Sequence, residues 1–176
     1  MSDLNTFLAR AEALLMRVEA LLPAAVSTPD WSATAFRWRS NGAGRSGVLQ
    51  AVLNPHRIRL DDLQGVEEQK QRIESNTRQF VAGRGANNVL LTGARGTGKS
   101  SLVKAVLHGF SSQGLRLIEV DKEDLVHLPE IVDLIAGRPE KFIIFCDDLS
   151  FEAGEPGYKA MKSVLDGSIA GTPPRC

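Results

Sequence analysis

The stretch Asn88-Val89-Leu90-Leu91-Thr92-Gly93-Ala94-Arg95-Gly96-Thr97-Gly98-Lys99-Ser100 decides the fold. Its first part, Asn88 to Thr92, is a short apolar run bounded by Gly-rich turns, which predicts a buried strand. Its second part, Gly93 to Ser100, fits G-x-x-x-x-G-K-[ST]. Ser100 to Phe110 then sets Leu102, Val103, Val106, Leu107 and Phe110 on one helical face. A glycine-rich turn between strand and helix makes a phosphate cradle. Glycines let the backbone turn so that successive N–H groups point inward, and the helix N-terminus adds about half a positive charge at the same spot. Lys99 is then the group that reaches β- and γ-phosphates, and the Ser100 hydroxyl is a ligand for Mg²⁺.

Further along, Phe142-Ile143-Ile144-Phe145-Cys146-Asp147-Asp148 predicts a second buried strand, whose apolar run ends in two carboxylates. Charges at the tip of a central strand need a reason. Beside a phosphate loop, Asp147 is placed to hold Mg²⁺ through its water, as a Walker B aspartate does. Asp148 is placed to orient or deprotonate the attacking water. It is one methylene shorter than the more usual Glu, so Glu152 stands as the reserve base. The acid pair favours hydrolysis over phosphoryl transfer to a small molecule. GTP is disfavoured as the nucleotide: no N-K-x-D is present, and Asp62-Leu63-Gln64-Gly65 precedes the loop instead of following it.

The remaining pattern is regular. A long helix is expected from about Glu67 to Val81, a strand at Leu115 to Val120, a short helix at Pro129 to Ile135, and a last helix through Tyr158, Met161, Val164 and Leu165 that ends at Gly167. Strands that alternate with helices and are apolar throughout mean an α/β fold, a parallel sheet covered on both faces. Before this, Leu4, Leu8, Ala11, Leu15, Val18 and Leu22 mark an amphipathic helix stopped by Pro23. It suits docking on its own protein better than a short coiled coil. Residues 23 to about 55 read as a connector, with a Gly-, Ser- and Arg-rich run from Ser40 to Gly47. Within it, Phe36, Arg37, Trp38 and Arg39 allow two readings: aromatics anchoring the connector against the main domain, which is favoured, or a stacking surface for single-stranded nucleic acid.

Composition bounds the rest. The chain has 176 residues, 21 basic against 21 acidic side chains, 43% apolar residues and 6% aromatic. That is one ordinary domain, or one and a fraction, large enough to hold a core without disulfides. Cys146 and Cys176 stand far from His56, His108 and His127, so no zinc-type spacing exists. Residues 1–60 carry seven arginines, no lysine and four acids, too little asymmetry to imply a nucleic-acid partner. Arg10, Glu12, Arg17 and Glu19 interrupt the amino-terminal apolar residues, which excludes a signal peptide or membrane span and makes the cytoplasm the expected compartment.

The run Ile58 to Val66 resembles the segment that lines the adenine pocket in AAA+ ATPases. Asn76-Thr77, Asn87 to Leu91, Gly93 to Ser101, Leu117 to Val120 and Phe145 to Glu152 are similar to a bacterial AAA+ group catalogued only as a domain of unknown function. Phe36 to Arg39 shares the likeness, which covers about residues 35 to 168. Within AAA+ the paired aspartates are similar to those of replication initiators and helicase loaders. The resemblance implies a three-layer αβα P-loop NTPase of AAA+ type that binds ATP and Mg²⁺. Its contacts to nucleotide fall at Gly93, Ala94, Arg95, Gly96, Thr97, Gly98, Lys99, Ser100 and Ser101, with Leu63 and Gly65 near the adenine. It also implies a homo-oligomer and conformational work on a macromolecular target. On this reading residues 1–55 are a helix and connector, 56–170 a partial AAA+ domain and 171–176 a tail.

The likeness stops at the carboxyl end. AAA+ modules carry beyond the Walker B strand a further strand with a polar sensor, an arginine finger and a helical lid, and Ile169 to Cys176, with Pro173-Pro174, supplies none of these. A truncated or frame-shifted product is expected. In the AAA+ strand order 5-1-4-3-2 the missing strand lies between the loop's strand and the Walker B strand, leaving a gap of nearly 10 Å. Either those two strands collapse together and misplace Asp147 relative to Lys99, or the domain stays partly open. The chain is therefore expected to hydrolyse ATP poorly or not at all while its parent does so. The alternatives are a module that binds nucleotide or a partner without turnover, and an inactive fragment.

Overall fold

The computed structural model describes residues 28–40, 47–149 and 155–165, together with positions 7, 10–12 and 14. Those five early positions are helical, and Phe7 and Leu14 are exposed. The rest of the expected helix over Leu4 to Leu22 lies outside the described residues, as do Glu152 and the tail.

Among the described residues, four strands form one sheet in the order β2-β1-β3-β4, where β1 is Ala35–Arg39, β2 Val48–Ala51, β3 Leu115–Glu119 and β4 Lys141–Phe145. β3 pairs parallel with both β1 and β4, with Ile118 opposite Phe36 on one side and Ile144 on the other. β1 and β2 pair antiparallel, with Trp38 opposite Leu49. The sheet is therefore mixed, where a parallel one was expected. The reason is that Ala35–Arg39 and Val48–Ala51 are strands, not connector, and extend the sheet beyond β3.

Helices α1 (Glu67–Val81) and α2 (Lys99–Phe110) cover one face, and α3 (Leu128–Ile135) and α4 (Pro156–Leu165) the other. This three-layer arrangement is consistent with a P-loop NTPase fold. The first core gathers Ala35, Ile73, Leu102, Val103, Val106, Leu107, Phe110 and Leu117. The second gathers Phe36, Trp38, Leu49, Ile118, Val120, Leu128 and Ile131. α1 carries Glu67 and Glu68 in its first turn and Arg78 in its last, each sign favouring its own end of the helix dipole. The pairs Glu68–Arg72 and Glu74–Arg78, both at 2.6 Å, stitch its exposed side. No helix among the described residues is long and apolar enough to cross a membrane.

Alternation explains β1. Phe36 and Trp38 point into the second core and are almost fully buried, while Arg37 and Arg39 take the opposite face and pair with Glu119 (2.9 Å) and Asp121 (3.9 Å). The aromatics accordingly cannot stack on bases, which removes the less favoured reading of them as a nucleic-acid surface. They are sheet core, not connector anchors. Gly47 packs against the Trp38 indole, and a Cβ there would also stand 2.8 Å from the Arg39 carbonyl.

A second correction concerns Asn88 to Thr92. No strand forms there; Val89 is 51% and Leu90 76% exposed, and only Leu91 packs on the first core. An extended segment becomes a strand only with a neighbour about 4.8 Å away, and among the described residues none lies beside it. β4 ends the sheet on that side.

Candidate functional site

The loop between residue 92 and α2 owes its course to three glycines at positive φ: Gly93 (144°), Gly96 (83°) and Gly98 (87°). Gly98 is the residue that precedes the helix, in the left-handed region where a side chain is disfavoured. Inside the loop, the Thr97 hydroxyl donates to the Ala94 carbonyl at 2.8 Å. The Lys99 ammonium folds back to donate to the carbonyls of Gly93 and Ala94, both at 2.9 Å. The lysine is thus fixed on the loop by two charge-assisted hydrogen bonds. Arg95 is exposed, and Ser101 lies in the first turn of α2.

Ser100 and Asp147 meet across 47 residues of sequence: the Ser100 hydroxyl donates to Asp147 Oδ2. The Asp148 backbone N–H donates to the other oxygen, Oδ1, at 3.0 Å. The hydroxyl's donation is the main reason the Asp147 carboxyl sits below the ordinary 3.8; burial opposes it, and the Asp148 N–H, Lys99 and Lys104 add to it. The sign follows. A lowered folded pKa favours the native state above 3.8 and is lost as pH falls through the folded value. Carbon-detected NMR titration should therefore find Asp147 titrating below 3.8, and the value should rise toward 3.8 in Ser100→Ala. An unchanged value would show that the contact does not exist in solution.

Asp148 has φ 51°, the one non-glycine at positive φ among the described residues. Such backbone is costly for most residues, though Asp tolerates it better than bulkier ones. Its side chain is exposed and, among the described residues, makes no hydrogen bond. Between core and acids stands Cys146, whose thiol burial and the charges of Asp121, Asp147 and Glu123 push up to about 11. At pH 8 its thiolate fraction is then about a thousandth, so iodoacetamide should alkylate it about a hundredfold more slowly in the folded chain than in denaturant. Peptide mapping reads this directly, and equal rates in the two states would contradict it.

The structure joins the loop to Asp147 but not to the two residues expected near the adenine. Leu63 packs on the first core and its carbonyl accepts from Lys70 Nζ, while Gly65 is exposed at φ 74°. Neither is hydrogen-bonded to residues 93–101 among the described residues. Two features escaped sequence reading. Lys104, one turn beyond Ser100 on α2, lends positive potential to Asp147. Its spacing of four from Ser100 was the available clue. Asn76 on α1 clamps the chain entering the loop: its amide donates to the Asn87 carbonyl (2.8 Å) and its carbonyl accepts from the Asn87 N–H (2.9 Å).

The donor set suits a hard cation. A hydroxyl and a carboxylate oxygen are magnesium ligands, and Mg²⁺ in such sites takes one or two protein oxygens together with phosphates. No group of three or more His, Cys, Asp or Glu able to hold a metal exists among the described residues, so a cage built of protein alone is not on offer.

Comparison with known proteins places this geometry in context. Over 121 residues the chain is 33% identical to the ATP-dependent zinc metalloprotease FtsH of Syntrophobacter fumaroxidans (strain DSM 10017 / MPOB), covering 57% of this chain and 18% of that protein. The chain therefore spans less than a fifth of that relative's length. No solved structure matches it. Residues 31–175, which take in the β1–β2 hairpin, the glycine loop and the paired aspartates, match the family described as "Protein of unknown function (DUF815)", and the chain belongs to that family.

Proposed function

We propose that this chain is an ATP-binding module of AAA+ type that uses Mg²⁺. The observation that carries the reading is the hydrogen bond between Ser100, at the start of the helix after the glycine loop, and Asp147, at the tip of a separate strand. Two oxygen ligands for one cation are thereby brought together beside an ammonium fixed on the loop. Likeness to a protein named as ATP-dependent supports the same reading.

In this reading the N–H groups of residues 93–101 bind the phosphate tail, and Lys99 moves from the loop carbonyls to the β- and γ-phosphates. Ser100 and Asp147 would hold the cation, which when bound would neutralise phosphate charge. Asp148 orients the attacking water, with Glu152 as reserve. ATP turnover, assembly into an oligomer and work on a macromolecular target are further parts of this proposal. Fluorescent ATP-analogue titrations with and without Mg²⁺ test the assignment. Magnesium should tighten binding to the wild-type chain, and Asp147→Asn should lose that gain while keeping the magnesium-free affinity. Equal magnesium dependence in both proteins would remove Asp147 from the site.

A further inference from the structure

A groove of about 430 Å³ opens on the α1/α2 side of the sheet, between the β1–β2 hairpin, the chain after β2 and helix α2. That volume lies within the roughly 300–1,000 Å³ typical of small-molecule sites. Three cations line it: Arg37 and Arg39, both placed on this face by the alternation of β1, and Lys104 from α2. Val52 and Leu107 give it apolar wall, and His56 also lines it.

The charges are unevenly compensated. Arg37 is paired with Glu119 at 2.9 Å, and Arg39 reaches Asp121 only at 3.9 Å, with both partners half-exposed. Lys104 is half-buried and has no ion-pair partner among the described residues. Arg37 Nε is a buried donor with no hydrogen-bond acceptor, so Glu119 satisfies that guanidinium only in part. Three cations set against two carboxylates, Glu119 in the lining and Asp121 paired with Arg39, leave the recess with one positive charge in excess beside an apolar wall. This is the composition of a site for an organic anion, not of a solvated surface.

We propose that this groove binds a small organic phosphate, at a site separate from the glycine loop. The charge state follows from the pairing. A monocarboxylate would merely replace Glu119 on Arg37, one charge for one. A phosphate monoester, near −2 at neutral pH with three acceptor oxygens, engages Lys104 and Arg39 as well and gains over the resident pair. Its organic body lies on Val52 and Leu107.

Phenyl phosphate is a suitable probe, followed by amide NMR of the whole 176-residue chain at neutral pH. Because the glycine loop also attracts phosphate, the titration is run in Lys99→Ala too, which separates this site from the nucleotide reading. Saturable shifts are expected at Arg37, Gln50 and Lys104 in both proteins. Affinity should fall about tenfold or more in Lys104→Gln and in Arg39→Gln, and inorganic phosphate and benzenesulfonate should each bind at least about tenfold more weakly. Either substitution suffices should the other fail to fold. Shifts confined to residues 93–101 and lost in Lys99→Ala, affinity unchanged in both glutamine variants, equal binding of benzenesulfonate, or no saturation at all would each overturn the proposal.

Discussion

Trp38→Ala should lower the stability of the chain by about 3 to 5 kcal/mol, the cost of emptying a fully buried aromatic site. The indole is at 0% exposure in the second core, with its ring centroid 5.8 Å from that of His127 and Gly47 packed against it. With a urea slope of about 2 kcal/mol/M the midpoint should move down by roughly 1.5 to 2.5 M. Against a total stability of about 5 to 15 kcal/mol, such a loss populates the unfolded chain measurably. Trp38→Phe should recover most of it. The alternative view of residues 35–39, a connector resting on the domain, predicts a midpoint shift near zero, since loosely held surface residues contribute little.

Lys99→Ala should abolish stabilisation by MgATP. A ligand at 100 times its dissociation constant stabilises a folded protein by about 2.7 kcal/mol. In a domain of this size that corresponds to a rise in melting temperature of about 5 to 11 °C. The substitution removes the cation that donates to Gly93 and Ala94, so the loop loses both its internal tie and its phosphate-directed charge. The apo protein should lose far less than the liganded one, because both hydrogen bonds are exposed. A variant that melts at the wild-type temperature without ligand and gains nothing from MgATP is the expected outcome. A shift as large as that of the wild type would show that nucleotide, if bound, sits elsewhere.

Much of this fold was legible because it is written in helical and strand period. Leu102, Val103, Val106, Leu107 and Phe110, taken as one face of a helix, are all buried, and the helix over Glu67 to Val81 ends where its periodicity does. The helix begun by Pro129 and stopped before Gly137, and the strand through Phe142 to Phe145, follow the same logic. What failed is equally physical. In Ala35-Phe36-Arg37-Trp38-Arg39 the period of two runs for only two repeats, beside a glycine- and serine-rich run. Arginines on an inner strand look wrong until Glu119 and Asp121 supply their partners from an adjoining strand and loop. The run Val89-Leu90-Leu91 failed for the opposite reason: its composition states a preference for burial, but a strand requires a neighbour, and pairing is not a local property.

The site divides in the same way. The spacing of Gly93, Gly98, Lys99 and Ser100 and the two acids after β4 pointed to one centre, and the Ser100–Asp147 hydrogen bond brings both parts together. Backbone conformation at Asp148 and the clamp between Asn76 and Asn87 depend on tertiary placement and leave no trace in local pattern. Leu63 and Gly65, drawn toward the adenine by family likeness alone, are where the geometry offers least support.

Isothermal titration calorimetry of the chain with ATP in excess magnesium tests the central claim most directly. One saturable site per chain, lost in Lys99→Ala and weakened on chelation of magnesium, is the predicted result. Absence of saturable heat, with a folded protein confirmed by its melting transition, would contradict it.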